Sequence, residues 1–146
     1  MIALIQRVKS AKVIIDKNIE GEICSGLLIY VGFENNDNLE KINWAINKII
    51  NLRMFSDKEG KMNLSLLEIN GEVLTIPNFT LPCDLNDSGR RPSFSNAASP
   101  LVAEDLYNKF NNNLKEKNVT LALGRFGAMM DIESVADGPV NFILRH

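Results

Sequence analysis

The run Gly-Leu-Leu-Ile-Tyr-Val-Gly-Phe at residues 26–33 narrows the possible folds more than any other stretch. It has the length of a strand and almost no polar side chain, so it must be covered on both faces. The flanking segments supply the cover. Residues 2–15 are rich in Ile and Val with partial alternation, which predicts a long strand bent near Ser10. Asp16-Lys17-Asn18 turn the chain back into a hairpin. From residue 36 the period changes. Leu39, Ile42, Trp44, Ala45, Ile46, Ile49 and Ile50 recur near helical spacing, and Asp37 with Glu40 resembles a capping box. Residues 53–66 read as a strand, a polar turn and a return, and residues 71–76 as a further strand. A second helix is expected after Ser99 as cap, with Pro100 at its first position and Leu101, Ala103, Leu106, Tyr107, Phe110 and Leu114 as its apolar face. Three short strands are expected to follow, over residues 119–126, 129–136 and 139–144. The expectation is one domain over 1–146 of α/β class. Its mixed β-sheets would form a barrel-like two-layer arrangement, with two helices packed on one side to make three layers.

The chain has 146 residues, 45% of them apolar, enough for a real core. No run approaches the roughly 18 apolar residues a membrane helix needs. The N-terminus lacks a basic segment followed by an apolar one, so no secretion signal is expected and the cytoplasm is the expected compartment. The net charge of -2 and the pI of about 5.4 argue against coating nucleic acid along the whole surface, although a local contact remains open. Cys24 and Cys83 have no metal-type spacing and read as reduced thiols. The only histidine is His146, the last residue, which disfavours Ser-His-Asp, Cys-His and His-zinc chemistry. No cofactor and no metal are expected.

Four stretches rise above scaffold. In Thr75 to Asp84, Pro77 and Pro82 bracket Asn78-Phe79-Thr80-Leu81. Prolines lack the N–H that a ladder needs, so this is either a short edge strand or a segment held outside pairing. In the second case the N–H groups near Phe79 and Thr80 would serve as an oxyanion hole, with the Thr80 hydroxyl as donor or acceptor. Thr80 as nucleophile lacks a base. Asp137-Gly138-Pro139-Val140-Asn141 reads as a tight turn before the last strand, with a trans bond as default. Alternatively, its carbonyls stand side by side and accept from an ammonium group. Residues 88–95 are either a solvated loop or a phosphate contact, Arg90 and Arg91, beside a stacking platform, Phe94. In residues 124–133, Met129 and Met130 are expected as core filling rather than ligand contacts, and the glycines around Arg125-Phe126 suggest a sharp bend.

Met-Ile-Ala-Leu-Ile-Gln-Arg-Val at the start, Gly-Lys-Met-Asn-Leu-Ser-Leu at 60–66, Asn-Phe-Thr-Leu-Pro-Cys-Asp at 78–84, Gly-Arg-Arg-Pro-Ser-Phe-Ser at 89–95, Gly-Arg-Phe-Gly-Ala-Met-Met at 124–130 and Asp-Gly-Pro-Val-Asn at 137–141 stand in a familiar order and spacing. The chain resembles D-aminoacyl-tRNA deacylases over nearly its whole length. The resemblance implies a homodimer that hydrolyses the ester between a D-amino acid and the terminal adenosine of tRNA, with glycine mischarged on tRNA(Ala) as a related substrate. It implies a cis Gly138-Pro139 that reaches into the partner's active site, captures the α-amine with two carbonyls and leaves no space for an L side chain. It also implies that Arg7 braces this segment. The family's motif falls on Pro77-Asn78-Phe79-Thr80, so Asn78, Phe79 and Thr80 are expected in catalysis; Met129 and Ala98 are expected beside the substrate, and Arg90, Arg91 and Phe94 on the tRNA. Two departures are visible: Pro77-Asn78 replaces the usual Ser-Gln pair, and Asn141 the usual Thr. A non-catalytic RNA-binding module, an acyl-ester hydrolase without RNA preference and a structural protein are the alternatives.

Overall fold

The computed structural model describes residues 1–85 and 89–146. In chain order its elements are β1 (Ile2–Ile15), β2 (Asn18–Ile23), β3 (Gly26–Gly32), α1 (Leu39–Asn51), β4 (Phe55–Ser56), β5 (Met62–Leu64), β6 (Glu72–Pro77), α2 (Pro100–Lys115), β7 (Leu121–Leu123) and β8 (Asp131–Arg145). The main sheet runs β2-β1-β3-β6-β7, with β8 on the other side of β1; β4 and β5 pair separately. β1 is antiparallel to β2, β3 and β8, while β3–β6 and β6–β7 are parallel, so the sheet is mixed. It curves into a near-barrel with both helices on one side, the architecture expected from the sequence.

β3 shows why. Leu27, Ile29 and Val31 face the helices and pack with Ile42, Ile46 and Ile49 of α1 and Leu106, Phe110 and Leu114 of α2. Leu28 points to the opposite face and packs with Val8, Val13, Ile23, Leu74 and Ile76 inside the curved sheet. Each fully buried Leu or Ile contributes about 1.5–3 kcal/mol, so two opposed clusters on one strand fix which way every neighbour must face. The expected bend in β1 coincides with a shift of its β8 register between Val8 and Ser10. The turn at Asp16 and Lys17 places both in the left-handed region.

Several expectations change. Asn38, not Asp37, caps α1: its Oδ1 accepts from the Lys41 N–H at 3.1 Å. Asp37 is instead buried beneath the α-ammonium of Met1, 2.6 Å away, and also accepts from the Glu34 N–H. Ser99 and Pro100 take the cap and first-turn positions, but the Ser99 side chain makes no capping bond. Leu39, Trp44 and Leu101 are exposed, with Trp44 stacked on His146. The last two of the three expected strands are one strand, β8, because the long β1 offers a continuous template. The expected turn at 137–141 is a bulge within β8. Gln6 pairs with Asn141 and Val8 with Ala136, so the single residue Arg7 faces the four residues 137–140.

Candidate active site

Two groups of the expected residues assemble at different places in the chain. The first forms where β6 ends. Pro77 still pairs with Val31, and the Asn78 N–H donates to the Val31 carbonyl at 2.8 Å; there the ladder stops. Residues 78–83 then form turns, with Leu81 N–H bonded to the Asn78 carbonyl and Cys83 N–H to that of Thr80. This is the segment outside pairing, not an edge strand. Its close seat on β3 requires a glycine at 32: a Cβ there would lie 2.6 Å from the Asn78 carbonyl oxygen and 2.7 Å from Pro82 Cδ.

Within the turn, Asn78 Oδ1 accepts from both the Thr80 N–H at 3.0 Å and the Thr80 hydroxyl at 2.6 Å. An asparagine engaging the backbone two residues on is an Asx turn, a signal present in the sequence as Asn-x-Thr. The consequence is a division of labour. Thr80 has both donors committed, its oxygen retaining lone pairs to accept, whereas the Phe79 N–H has no protein acceptor among the described residues. Phe79 itself is 63% exposed.

Phe94 comes to this floor, its ring 5.2 Å from that of Phe79 and tilted by 55°. The contact is held by pairing of Asp84 with Ser93, which folds the loop back over the turn. Arg90 and Arg91 are exposed on the same loop and form no ion pair among the described residues; Ser88, the first residue of the expected basic loop, lies outside them. Ala98 is buried, its N–H bonded to the Phe33 carbonyl at the edge of the helix-side core. Met130 fills a gap beside Gly124 as expected of core, but Met129 does not: it is 92% exposed. Beneath the floor, the buried Tyr107 hydroxyl bonds the carbonyls of Thr75 and Gly124 at 3.0 and 2.9 Å. Thr75 in turn donates to Asn111 at 2.8 Å. Burial pushes the Tyr107 hydroxyl pKa up, only partly offset by these bonds. This clamp on the exit of β6 joins three elements and was not foreseen.

The second group surrounds the bulge in β8. The Gly138–Pro139 bond is cis, and both residues are exposed. Gly138 has φ +123°, a conformation that side chains rarely adopt. Arg7, almost fully buried, donates from Nε to the Asp137 carbonyl at 3.2 Å, pairs with Asp137 Oδ2 at 2.9 Å and donates from Nη1 to the Met54 carbonyl at 2.6 Å. Asp137 and Met54 carried no expected role. Met54 acts through its main chain, which leaves no trace in side-chain pattern.

The two groups do not meet within one chain. Arg7 pairs with Leu27 and Leu27 with Val73, whereas the floor begins after Pro77, four residues further along β6. From β8 to β6 is three strand steps, about 14 Å, and the offset along the strands adds about 13 Å in the perpendicular direction. Measured along the sheet, that separation is well beyond the length of one aminoacyl group. Three clefts of about 390, 560 and 500 Å³ lie beside β2, beside α2 and beside Glu72, and none of these three is lined by Asn78, Phe79 or Thr80.

Comparison with known proteins gives a consistent picture. Residues 4–145 match the family model described as D-Tyr-tRNA(Tyr) deacylase. A D-aminoacyl-tRNA deacylase of Thermosipho africanus is 49% identical over 144 residues, covering 99% of this chain and 96% of the relative. One of Exiguobacterium sibiricum is 44% identical, covering 99% of each. Among solved structures, a chain described as c-Myc DNA Unwinding Element Binding Protein superposes with a TM-score of 0.94 at 32% identity, covering 100% of this chain and 99% of its own. A probable eukaryotic D-amino acid tRNA deacylase, 16% identical with a TM-score of 0.83, shares the fold. Matched along almost its entire length by model and relatives alike, the chain belongs to the D-Tyr-tRNA(Tyr) deacylase family.

Proposed function

We propose that the protein hydrolyses the ester bond of D-aminoacyl-tRNA, releasing the D-amino acid and free tRNA, and leaves L-aminoacyl-tRNA intact. Family membership supports the reaction. The observation that carries the mechanism is the Phe79 N–H, which has no acceptor among the described residues, on an exposed turn whose neighbouring donors are already committed. Water adds to the ester carbonyl carbon, and the developing oxyanion accepts from this N–H. The tetrahedral intermediate then collapses with departure of the ribose 3′-oxygen, which takes a proton. The adjacent 2′-hydroxyl and the Thr80 oxygen, which still has lone pairs free, orient the water. An aminoacyl ester is already activated, so one fixed dipole and good positioning suffice without a histidine, a metal or a cofactor.

The filter is the Gly138-Pro139 corner of a second copy in a homodimer. Spacing along the sheet supports this: the corner lies three strands and four residues of offset from the floor of the same chain, and it is exposed. Carbonyls of the corner hold the α-ammonium, and an L side chain then strikes the corner itself. Rejection by collision can be far steeper than the ~1–3 kcal/mol that a missing methylene contact supplies. Glycine has no side chain to exclude, so glycyl-tRNA mischarged on tRNA(Ala) passes the same filter. Arg90, Arg91 and Phe94 receive the acceptor end through phosphate contacts and stacking, Ala98 and Met129 border the amino acid, and a tRNA substrate places the work in the cytoplasm.

The Arg90-Arg91-Phe94 loop also favours a second reading, a non-catalytic RNA-binding module. Incubation with D-Tyr-tRNA and L-Tyr-tRNA separates the two. Loss of the D ester alone is expected; binding of both with neither ester lost would establish the module instead.

A further inference from the structure

We infer that Asp137 is a positioning residue for the stereochemical filter, acting through Arg7; this rests on the deacylase reading above. The argument starts from the ladder. Residues 137–140 have no partners on β1, since the pairs on either side are Gln6–Asn141 and Val8–Ala136. A four-residue excursion without ladder bonds has to be held by side chains. Arg7 is the one β1 residue opposite it.

Arg7 is anchored from behind, with Nη1 on the carbonyl of the fully buried Met54. Its grip on the bulge runs through Asp137, by main chain and side chain together. Both Asp137 oxygens converge on the one Arg7 Nε–H, so the residue is held by main chain and side chain at once and the peptide that follows is oriented by both. The next residue is Gly138. A Cβ placed there would lie 3.1 Å from Arg7 Nη2 and 2.9 Å from Val140 Cγ2, so no side chain fits between the corner and the guanidinium. A guanidinium released from Asp137 is free to shift in the space beside the wall that excludes L side chains. Asp137 also carries the only carboxylate paired with Arg7 among the described residues. Removing it leaves a buried cation without its counter-charge, free to seek water or another acceptor.

The test compares Asp137→Ala, Asp137→Asn and Asp137→Glu with the parent protein under single-turnover conditions on D-Tyr-tRNA, L-Tyr-tRNA and Gly-tRNA, alongside thermal melting. A positioning role predicts that Asp137→Ala raises the L-to-D ratio of kcat/KM about tenfold or more while glycyl turnover changes least. Asp137→Asn is intermediate, and Asp137→Glu recovers part of the discrimination. An unchanged L-to-D ratio, or a parallel fall of all three substrates tracking a lower Tm, overturns the inference. A second readout needs no substrate: the Gly138 amide should show exchange broadening in Asp137→Ala and none in the parent. An unchanged Gly138 resonance refutes the positioning role even if the parent protein proves inert towards D-Tyr-tRNA, a result that would instead refute the deacylase reading.

Discussion

Asn78 Oδ1 accepts from Thr80 twice, from its N–H and from its hydroxyl, and so leaves the Phe79 N–H as the turn's donor without a protein acceptor among the described residues. Asparagine at 78, one methylene shorter than the usual glutamine, thus has a local task that its length suits. Asn78→Ala should release both Thr80 groups. With a net hydrogen bond worth roughly 1 kcal/mol, single-turnover deacylation should fall about fivefold. Asn78→Asp keeps an acceptor at the same position but sets a negative charge beside the developing oxyanion, so its rate should also fall while the Thr80 bonds persist. Equal rates for Asn78→Ala and the parent would show that the lock is not used.

The Phe79 N–H is the proposed oxyanion donor. Phe79→Pro removes it, and the expected loss is about 10²–10³ in kcat. Phe79→Ala retains the N–H, forfeiting mainly the ring contact with Phe94. Its effect should be the smaller by at least an order of magnitude. Circular dichroism on both variants separates loss of the donor from loss of the fold.

Arg90→Glu and Arg91→Glu should raise the KM for D-aminoacyl-tRNA and leave the rate constant at saturation nearly unchanged. Each arginine–phosphate pair removed should also flatten the slope of log affinity against log salt by about one unit. A free D-amino acid ester, which offers no phosphates, should be unaffected. Measurement at three salt concentrations decides it.

Tyr107 ties the end of β6 to Gly124, and burial raises its pKa from the ordinary value of 10.0. The folded state therefore holds this proton more tightly than the unfolded chain. The resulting stability is complete below pH 10.0 and is lost as pH rises through the folded-state value. Tyr107→Phe should destabilise the protein by about 1–3 kcal/mol at neutral pH, since the Gly124 carbonyl loses the shared hydroxyl proton while the Thr75 carbonyl keeps the Gly124 N–H. It should also weaken the alkaline fall in the urea midpoint. A residual fall is expected from Tyr30, whose pKa burial also raises.

The layered sheet was legible because residues 26–33 leave a strand no exposed face, and helix α1 because its apolar residues keep one period. The geometry of the candidate site was legible in part. The two prolines marked where pairing ends at Asn78, and Gly138-Pro139 marked an irregular backbone. What escaped were relationships across the chain. Nothing local tells Asp37 that it will sit under the α-ammonium of Met1, or Met54 that its carbonyl will receive Arg7. The continuity of β8 was hidden because its register is imposed by β1, while its own sequence is interrupted at 137–140. Met129 and Met130 are chemically identical neighbours, and only the path of the turn decides which is buried.

The most direct test mixes two inactive variants. Phe79→Pro removes the floor and Gly138→Val the corner, so neither homodimer should deacylate D-Tyr-tRNA. After unfolding and refolding together, half the dimers are mixed, and each mixed dimer holds one site with an intact floor from one chain and an intact corner from the other. About a quarter of the parent activity is predicted. No recovery, with mixed dimers verified by mass spectrometry, would contradict a site built from two copies of the chain.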